Sequence, residues 1–289
     1  ESGKFTRTTK IKDIGTLRLD GGRTKIDNAD HKGMGTITFE DGIAYSRNVV
    51  LAKVALKLGK TTTEAATKVY DTWRTLGYGQ LTGIDVAGEA SGSAYVRDPA
   101  VQPWAQIDLA NGAFGQGVAV TPIQLASAYA ALVNGGTAVQ PHVVQGIGPT
   151  DVSVATRGRV VEPKISRALI SLMAHVVDEV PFYRDRTLVP GYHVGGKTGT
   201  AQIWDADKGD WKHNLFNYSF IGYIGREVDK PDLVVAVRIE EGTPRQPRRG
   251  HLEMPVMSFE LFRRIATNAI TTPDLLDYRP STPTAAVDR

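Results

Sequence analysis

The run Val194-Gly195-Gly196-Lys197-Thr198-Gly199-Thr200-Ala201-Gln202-Ile203 sets one ammonium and two hydroxyls among three glycines, which is equipment for holding an anion. Two incompatible chemistries fit it. With Gly191 included, Gly191 to Thr198 satisfies the P-loop pattern G-x-x-x-x-G-K-[ST], which belongs to nucleotide binders. A P-loop needs a buried strand before it and a helix after it, because the phosphates sit on that helix's N-terminus. Here only Thr187-Leu188-Val189 precedes, closed by Pro190, and Thr200, Ile203 and Trp204 followed by Asp205 to Asp210 read as strand and turn. In the second chemistry, Lys197 to Ile203 is a strand at the lip of a cleft. Lys197 and the Thr198 hydroxyl would meet a carboxylate, and Gly199 would let a substrate backbone lie close, since a side chain there would block it. The plainer alternative is a glycine-rich turn with a solvated lysine.

The other short motifs carry less. Asp205, Asp207 and Asp210 resemble half a calcium loop, but Gly209 and Phe216 occupy positions where such a loop needs ligands, so a hairpin turn is expected. Gly115-Gln116-Gly117 lacks the strand and helix of a dinucleotide site and reads as a tight turn. The 6 histidines show no metal-ligand spacing, and neither a metal nor another cofactor is expected.

The elements that must position these residues belong to a chain of 289 residues, 41% hydrophobic and 22% charged, enough to bury a core in one large domain or two small ones. With 34 Lys and Arg against 31 Asp and Glu, and no basic run beyond Arg245 to Arg249, nucleic acid is not implied. The absence of cysteine excludes disulfides and thiolate metal sites. No apolar run approaches the roughly 20 residues that span a bilayer, and no signal peptide is visible. The chain opens at Glu1-Ser2-Gly3-Lys4 without an initiating Met, which reads as a cut.

Residues 1 to 37 predict irregular chain with short strands at Thr16-Leu19 and Thr36-Phe39. Thr38 with Asp41 caps a short helix, and Leu51, Val54, Ala55 and Leu58 mark a second one, stopped by Gly59; Ser46-Arg47-Asn48 lies between them. Thr61 and Glu64 open a helix with the stripe Ala66, Val69, Tyr70, Trp73, Leu76. Gly79 to Gly117 predicts a long excursion without periodicity. Thr121-Pro122 starts a helix that Asn134-Gly135-Gly136 ends, and residues 164–180 have helical spacing. Phe216 to Gly225 and Leu233 to Ile239 read as strands beside the Lys197 strand, covered by a helix from Pro255 to about Ile270 through Phe259, Phe262 and Ile265. The class is α+β, an α/β sandwich whose antiparallel sheet is flanked by helices, over residues 1–271, with a disordered tail at 272–289.

Taken together, Ser46-Arg47-Asn48, Gly115-Gln116-Gly117 with Thr121-Pro122-Ile123-Gln124-Leu125, Lys197-Thr198-Gly199-Thr200-Ala201-Gln202 and Ser219-Phe220-Ile221-Gly222-Tyr223 resemble the transpeptidase domain of class B penicillin-binding proteins. The resemblance covers about residues 10 to 270 and implies the penicillin-binding, β-lactamase-like fold. It implies a D,D-transpeptidase of peptidoglycan synthesis: a serine in S-x-x-K attacks the D-Ala-D-Ala end of a stem peptide, and the acyl-enzyme passes to a neighbouring amine. By the same resemblance, Ser46 relays protons towards the leaving amine, Asn48 holds the substrate amide and the catalytic lysine, Lys197 and Thr198 bind the terminal carboxylate beside Gly199, and the Thr200 backbone N–H supplies half an oxyanion hole. The implied ligands are peptidoglycan stem peptides and β-lactam antibiotics. The implied partners are a glycosyltransferase and cell-wall or division proteins, at the extracytoplasmic face of the bacterial inner membrane, with the anchor outside this sequence. A β-lactam receptor or β-lactamase on the same fold is the nearer alternative; the P-loop nucleotide binder is the distant one.

The sequence departs from the family in two places. Arg47 stands where the family commonly has Ser, a change from which little effect is expected. More seriously, none of the serines, from Ser2 and Ser46 to Ser258 and Ser281, has Lys three residues later; the nearest imitation is Thr9-Lys10-Ile11-Lys12. Either the S-x-x-K segment lies upstream of Glu1, or the chain is a degenerate relative that binds without acylating. The joint presence of S-x-N and K-T-G-T favours the first, and such a chain should show exposed apolar surface or an unpaired sheet edge.

Overall fold

Alternating short strands at the N-terminus fold into two antiparallel hairpins, one set inside the other. The computed structural model describes residues 3–244 and 256–277. β1 (Lys10–Asp13) pairs with β4 (Gly35–Thr38), and between them β2 (Thr16–Leu19) pairs with β3 (Thr24–Asp27). α1 (Phe39–Ala44) begins where expected: the Thr38 hydroxyl accepts from the Asp41 N–H at 3.1 Å, and the Asp41 carboxylate accepts from the Thr38 N–H at 3.3 Å. α2 (Asn48–Ala55) buries Val49, Val50, Ala52 and Ala55, not the stripe of Leu51 and Val54 that the sequence suggests, and it ends before Leu58. It packs against α1, α4, β1 and β3, so it is enclosed on several sides and shows no single apolar face.

α3 (Thr62–Thr75) is capped by Thr61, whose hydroxyl accepts from the Glu64 N–H, while the Glu64 carboxylate takes the Lys60 N–H instead of closing the box. Ala65 and Ala66 join Ala55, Trp104 and Leu109 in a core cluster, and Trp73 lies 5.3 Å from Trp104 between ring centroids. The stretch expected to be an excursion contains α4 (Gln106–Gly112), too short to show periodicity; its Leu109 and Ala110 are fully buried. α5 (Pro122–Val133) has the expected cap, with Thr121 and Gln124 exchanging bonds of 3.2 and 2.9 Å. β5 (Thr137–Val139) pairs with β8 (Thr156–Arg159), and β6 (Gly146–Ile147) with β7 (Thr150–Asp151), all antiparallel. α6 (Pro163–Glu179) crosses the division between two compact units, which falls between Ala168 and Leu169.

In the second unit, α7 (Pro181–Thr187) takes in Thr187, where the sequence had suggested only a short apolar run. β9 (His193–Asp205), β10 (Asp210–Gly225) and β11 (Leu233–Gly242) form an antiparallel sheet in the order β11-β10-β9. Among the described residues both β9 and β11 are edges. α8 (Ser258–Thr271) covers the sheet with Phe259, Phe262, Ala266 and Ala269, and the Phe262 ring lies 4.8 Å from that of Phe220 on β10. Ile265, expected on that face, is 40% exposed, because it falls one position off the 259, 262, 266, 269 row. The proposed helix start at Pro255, the Arg245 to Arg249 run and the end of the tail lie outside the described residues.

Phe262 is fully buried, so Phe262→Ala should cost about 3–5 kcal/mol of unfolding free energy, whereas Ile265→Ala should cost under about 1 kcal/mol. Denaturant melts of the two variants give the comparison, and equal losses would contradict the orientation of α8.

Candidate functional site

The residues singled out from the sequence fall into two groups, one in each unit. In the first unit Ser46, Arg47 and Asn48 form the turn from α1 to α2. The Ser46 N–H donates to Ile43 O at 3.1 Å and the Arg47 N–H to Gly42 O at 2.8 Å, closing α1. Ser46 then sits at φ +53, a left-handed conformation unfavourable for a residue with a Cβ, and is exposed. Something has to hold it there.

That support is Arg47. Its side chain is 8% exposed; Nε donates to Asp13 Oδ2 at 2.8 Å, and Nη1 and Nη2 form a fork on the Asp30 carboxylate at 3.0 and 3.1 Å. Nη2 also donates to Lys32 O. The Asp13 carboxylate is wholly buried and accepts from Asn28 Nδ2 at 2.7 Å and from the backbone N–H groups of Gly15 and Met34. Asn28 in turn accepts the Val49 N–H on Oδ1 at 3.1 Å, capping α2 from another part of the chain because Arg47, at the N-cap position, makes no side-chain cap. Asn48 donates from Nδ2 to Asp27 O at 3.0 Å. The turn is thus tied to the β1–β4 segment by a satisfied polar network.

Burial alone would raise the Asp13 carboxyl, but hydrogen bonds from Asn28, Arg47, Gly15 and Met34 outweigh it and hold it below the usual carboxylate range. Asp30 is lowered the same way, its fork from Arg47 overcoming desolvation. Burial pushes Arg47 down, and the two carboxylates reverse that and raise it. The sequence reading gave Arg47 no consequence. No spacing rule joins residue 13 to residue 47; the only available signal was an arginine in the short polar turn Ser46-Arg47-Asn48 between two apolar helical stretches.

In the second unit, Lys197, Thr198, Gly199 and Thr200 lie on edge strand β9, paired with Ile221, Phe220, Ser219 and Tyr218. Lys197 is half-buried; Nζ donates to Thr198 O at 2.9 Å and lies 3.4 Å from Thr198 Oγ1. Burial pushes its ammonium down to about 8. Thr200 is exposed. At Gly199 an added Cβ would lie 2.5 Å from Ser219 Oγ on the neighbouring strand, a hydroxyl that can rotate away, with Ser219 Cβ next at 3.9 Å. The P-loop alternative fails on backbone geometry, because Lys197 lies inside a 13-residue strand and no helix begins there to receive phosphate. Asp205 and Asp210 flank a hairpin turn closed by Gly209 N–H to Asp205 O at 2.9 Å, as expected.

Arg47→Met would leave Asp13 as an unpaired buried charge and should cost about 3–5 kcal/mol at neutral pH. Because Asp13 is depressed in the folded state, its contribution is present above the unfolded value of about 3.9 and fades as pH falls through the folded value. Melts from pH 7 to 2 should show that loss, and Asp13→Asn should flatten it; an unchanged profile would contradict the assignment.

A family model described as the penicillin binding protein transpeptidase domain matches residues 1–259. Stage V sporulation protein D of Bacillus subtilis is 33% identical over 235 residues, covering 79% of this chain and 34% of that protein. The probable peptidoglycan D,D-transpeptidase PbpC of Pseudomonas aeruginosa is 28% identical over 277 residues, covering 96% of this chain and 45% of that protein. The chain therefore spans less than half the length of either relative. Among solved structures, the apo transpeptidase domain of Burkholderia pseudomallei penicillin-binding protein 3 superposes with a TM-score of 0.72 at 26% identity, covering 97% of this chain and 76% of that one. These matches agree with the antiparallel sheet and its helices, and the chain belongs to the penicillin-binding proteins, as a transpeptidase domain of class B.

Proposed function

We propose that this chain recognises the D-alanyl-D-alanine end of a peptidoglycan stem peptide in a D,D-transpeptidase reaction, with residues 1–271 as the transpeptidase domain. The observation that carries this reading is K-T-G-T on an open strand edge with the Lys197 ammonium drawn against Thr198. Lys197 and the Thr198 hydroxyl bind the terminal carboxylate, or that of a β-lactam, through charge-assisted bonds. Gly199 keeps β9 and β10 close, and the Thr200 N–H stabilises the oxyanion of the tetrahedral intermediate. Ser46 relays a proton toward the leaving amine. Asn48 uses Nδ2 on Asp27 O, which fixes its amide and leaves Oδ1 to accept from the substrate amide.

The acyl step needs a serine activated by a neighbouring lysine, and none of the serines in this sequence stands three residues before one. The residues described above therefore serve recognition, charge stabilisation and, at Ser46, proton relay, and the attacking oxygen is assigned to none of them. In the wider reading, the protein works at the extracytoplasmic face of the inner membrane with a glycosyltransferase and other cell-wall or division proteins, and β-lactams compete for the stem-peptide site.

A diacyl-lysyl-D-alanyl-D-alanine peptide titrated calorimetrically into residues 1–289 tests recognition. Its affinity should hold at pH 6–7 and decline as pH rises through about 8, where Lys197 loses the charge that faces the carboxylate. Lys197→Ala should weaken binding by about 10- to 100-fold, the range for a hydrogen bond to a charged group. Equal affinity for the C-terminal carboxamide would overturn the reading. In the same preparation, incubation with a penicillin should leave the intact mass unchanged; an adduct would reveal another nucleophile, such as Thr9, which peptide mapping would locate.

A further inference from the structure

The β9–β10 hairpin continues well past K-T-G-T and carries an aromatic pair that the proposed reaction does not use. Trp204 and Trp211 are cross-strand partners with ring centroids 5.3 Å apart and planes at 83°. They remain 53% and 41% exposed, although indoles of this size are ordinarily drawn into a core. Pairing slips between Trp211 and Phe216, so β10 bulges there and β9 keeps its regular alternation. Thr198, Thr200, Gln202 and Trp204 consequently share one face of β9.

Position along the strand suggests what the pair meets. A peptide that adds antiparallel to an edge strand with its C-terminal carboxylate at Lys197 has its N-terminus directed toward Trp204. Trp204 lies seven residues beyond Lys197, about 23 Å along an extended strand, whereas an extended stem peptide of about five residues reaches about 17 Å. The difference is bridged by the linker to the sugar that carries the peptide. Local charge agrees with an uncharged ring: Lys208 is paired with Asp205 at 3.4 Å and Lys212 with Glu241 at 2.5 Å, while Asp207 and Asp210 leave the hairpin end net acidic, so neither lysine is offered to an anionic ligand beside the indoles.

Resting on the reading of β9 as the carboxylate-binding strand, we propose that Trp204 and Trp211 form a saccharide platform. The N-acetylated sugar of the donor strand stacks its C–H face on one indole, and the indole N–H groups serve as donors to its acetyl carbonyl. The site would favour a stem peptide still attached to its glycan over a free one.

Three probes titrated into residues 1–289 separate the possibilities: the free stem pentapeptide, the same peptide on its N-acetylglucosaminyl-N-acetylmuramyl disaccharide, and the disaccharide alone. Calorimetry should show the glycan-linked peptide binding about tenfold more tightly than the free one. The two exposed indole N–H resonances, assigned from Trp204→Leu and Trp211→Leu, should shift with both saccharide probes. Each variant should lose the tenfold increment while keeping free-peptide affinity and its amide spectrum. Equal affinity for linked and free peptide with unmoved indoles would overturn the platform and leave the β9 reading intact. Loss of free-peptide binding in the variants would also overturn it, by making the pair a support for the strand. Disaccharide binding without peptide binding would sustain the platform and overturn the peptide reading; binding of none would overturn both.

Discussion

The ion pair between Arg47 and Asp13 is the contact on which the first unit's turn at Ser46, Arg47 and Asn48 depends. Both side chains are withdrawn from water, so neither can be removed alone without leaving a charge that the interior cannot solvate. Desolvation is overcome because every strong valence is used: Asp13 accepts from a guanidinium, an amide and two backbone N–H groups, and Arg47 also grips Asp30. The outcome is positional. Ser46 is kept in a left-handed conformation at the end of one helix, while Asn28 starts the next.

The second unit reaches rigidity by packing. Phe220 and Phe262 sit ring against ring between sheet and helix, and Tyr223 donates to Ile170 O at 3.0 Å, so the central strand is fixed from both faces. β9 inherits that order through its pairing with β10 while keeping its outer edge open among the described residues. An edge strand usually has to be blunted against unwanted pairing. Here the edge carries the lysine and threonines proposed above to bind an extended ligand, and on that reading openness and recognition come from the same feature.

Much of this was legible because local chemistry leaves local marks. Thr38 with Asp41 and Thr121 with Pro122 are helix starts read from adjacent residues, and the K-T-G-T strand followed by two apolar strands gave the sheet. The failures share a cause. α4 is a seven-residue helix with no room for a period, α2 is enclosed on several sides and lacks a stripe, and Ile265 missed the core by a single helical step. Arg47 was illegible for a different reason: its partners lie 34 and 17 residues upstream, and only a folded chain brings them together. The approach of Ser219 to Gly199 was likewise illegible, because sequence position alone does not reveal which residue faces it on the next strand.

The arginine network also bears on how such a sequence can change over time. The middle of S-x-N carries a cation here, and its counter-charges are built into an otherwise separate hairpin. Replacing Arg47 by one substitution would strand Asp13, and losing Asp13 first would strand the arginine. Residues 13, 30 and 47 should therefore be inherited as one linked character, present or absent together. The trio would then mark a branch within the family even where the chemistry on either side of it is the same.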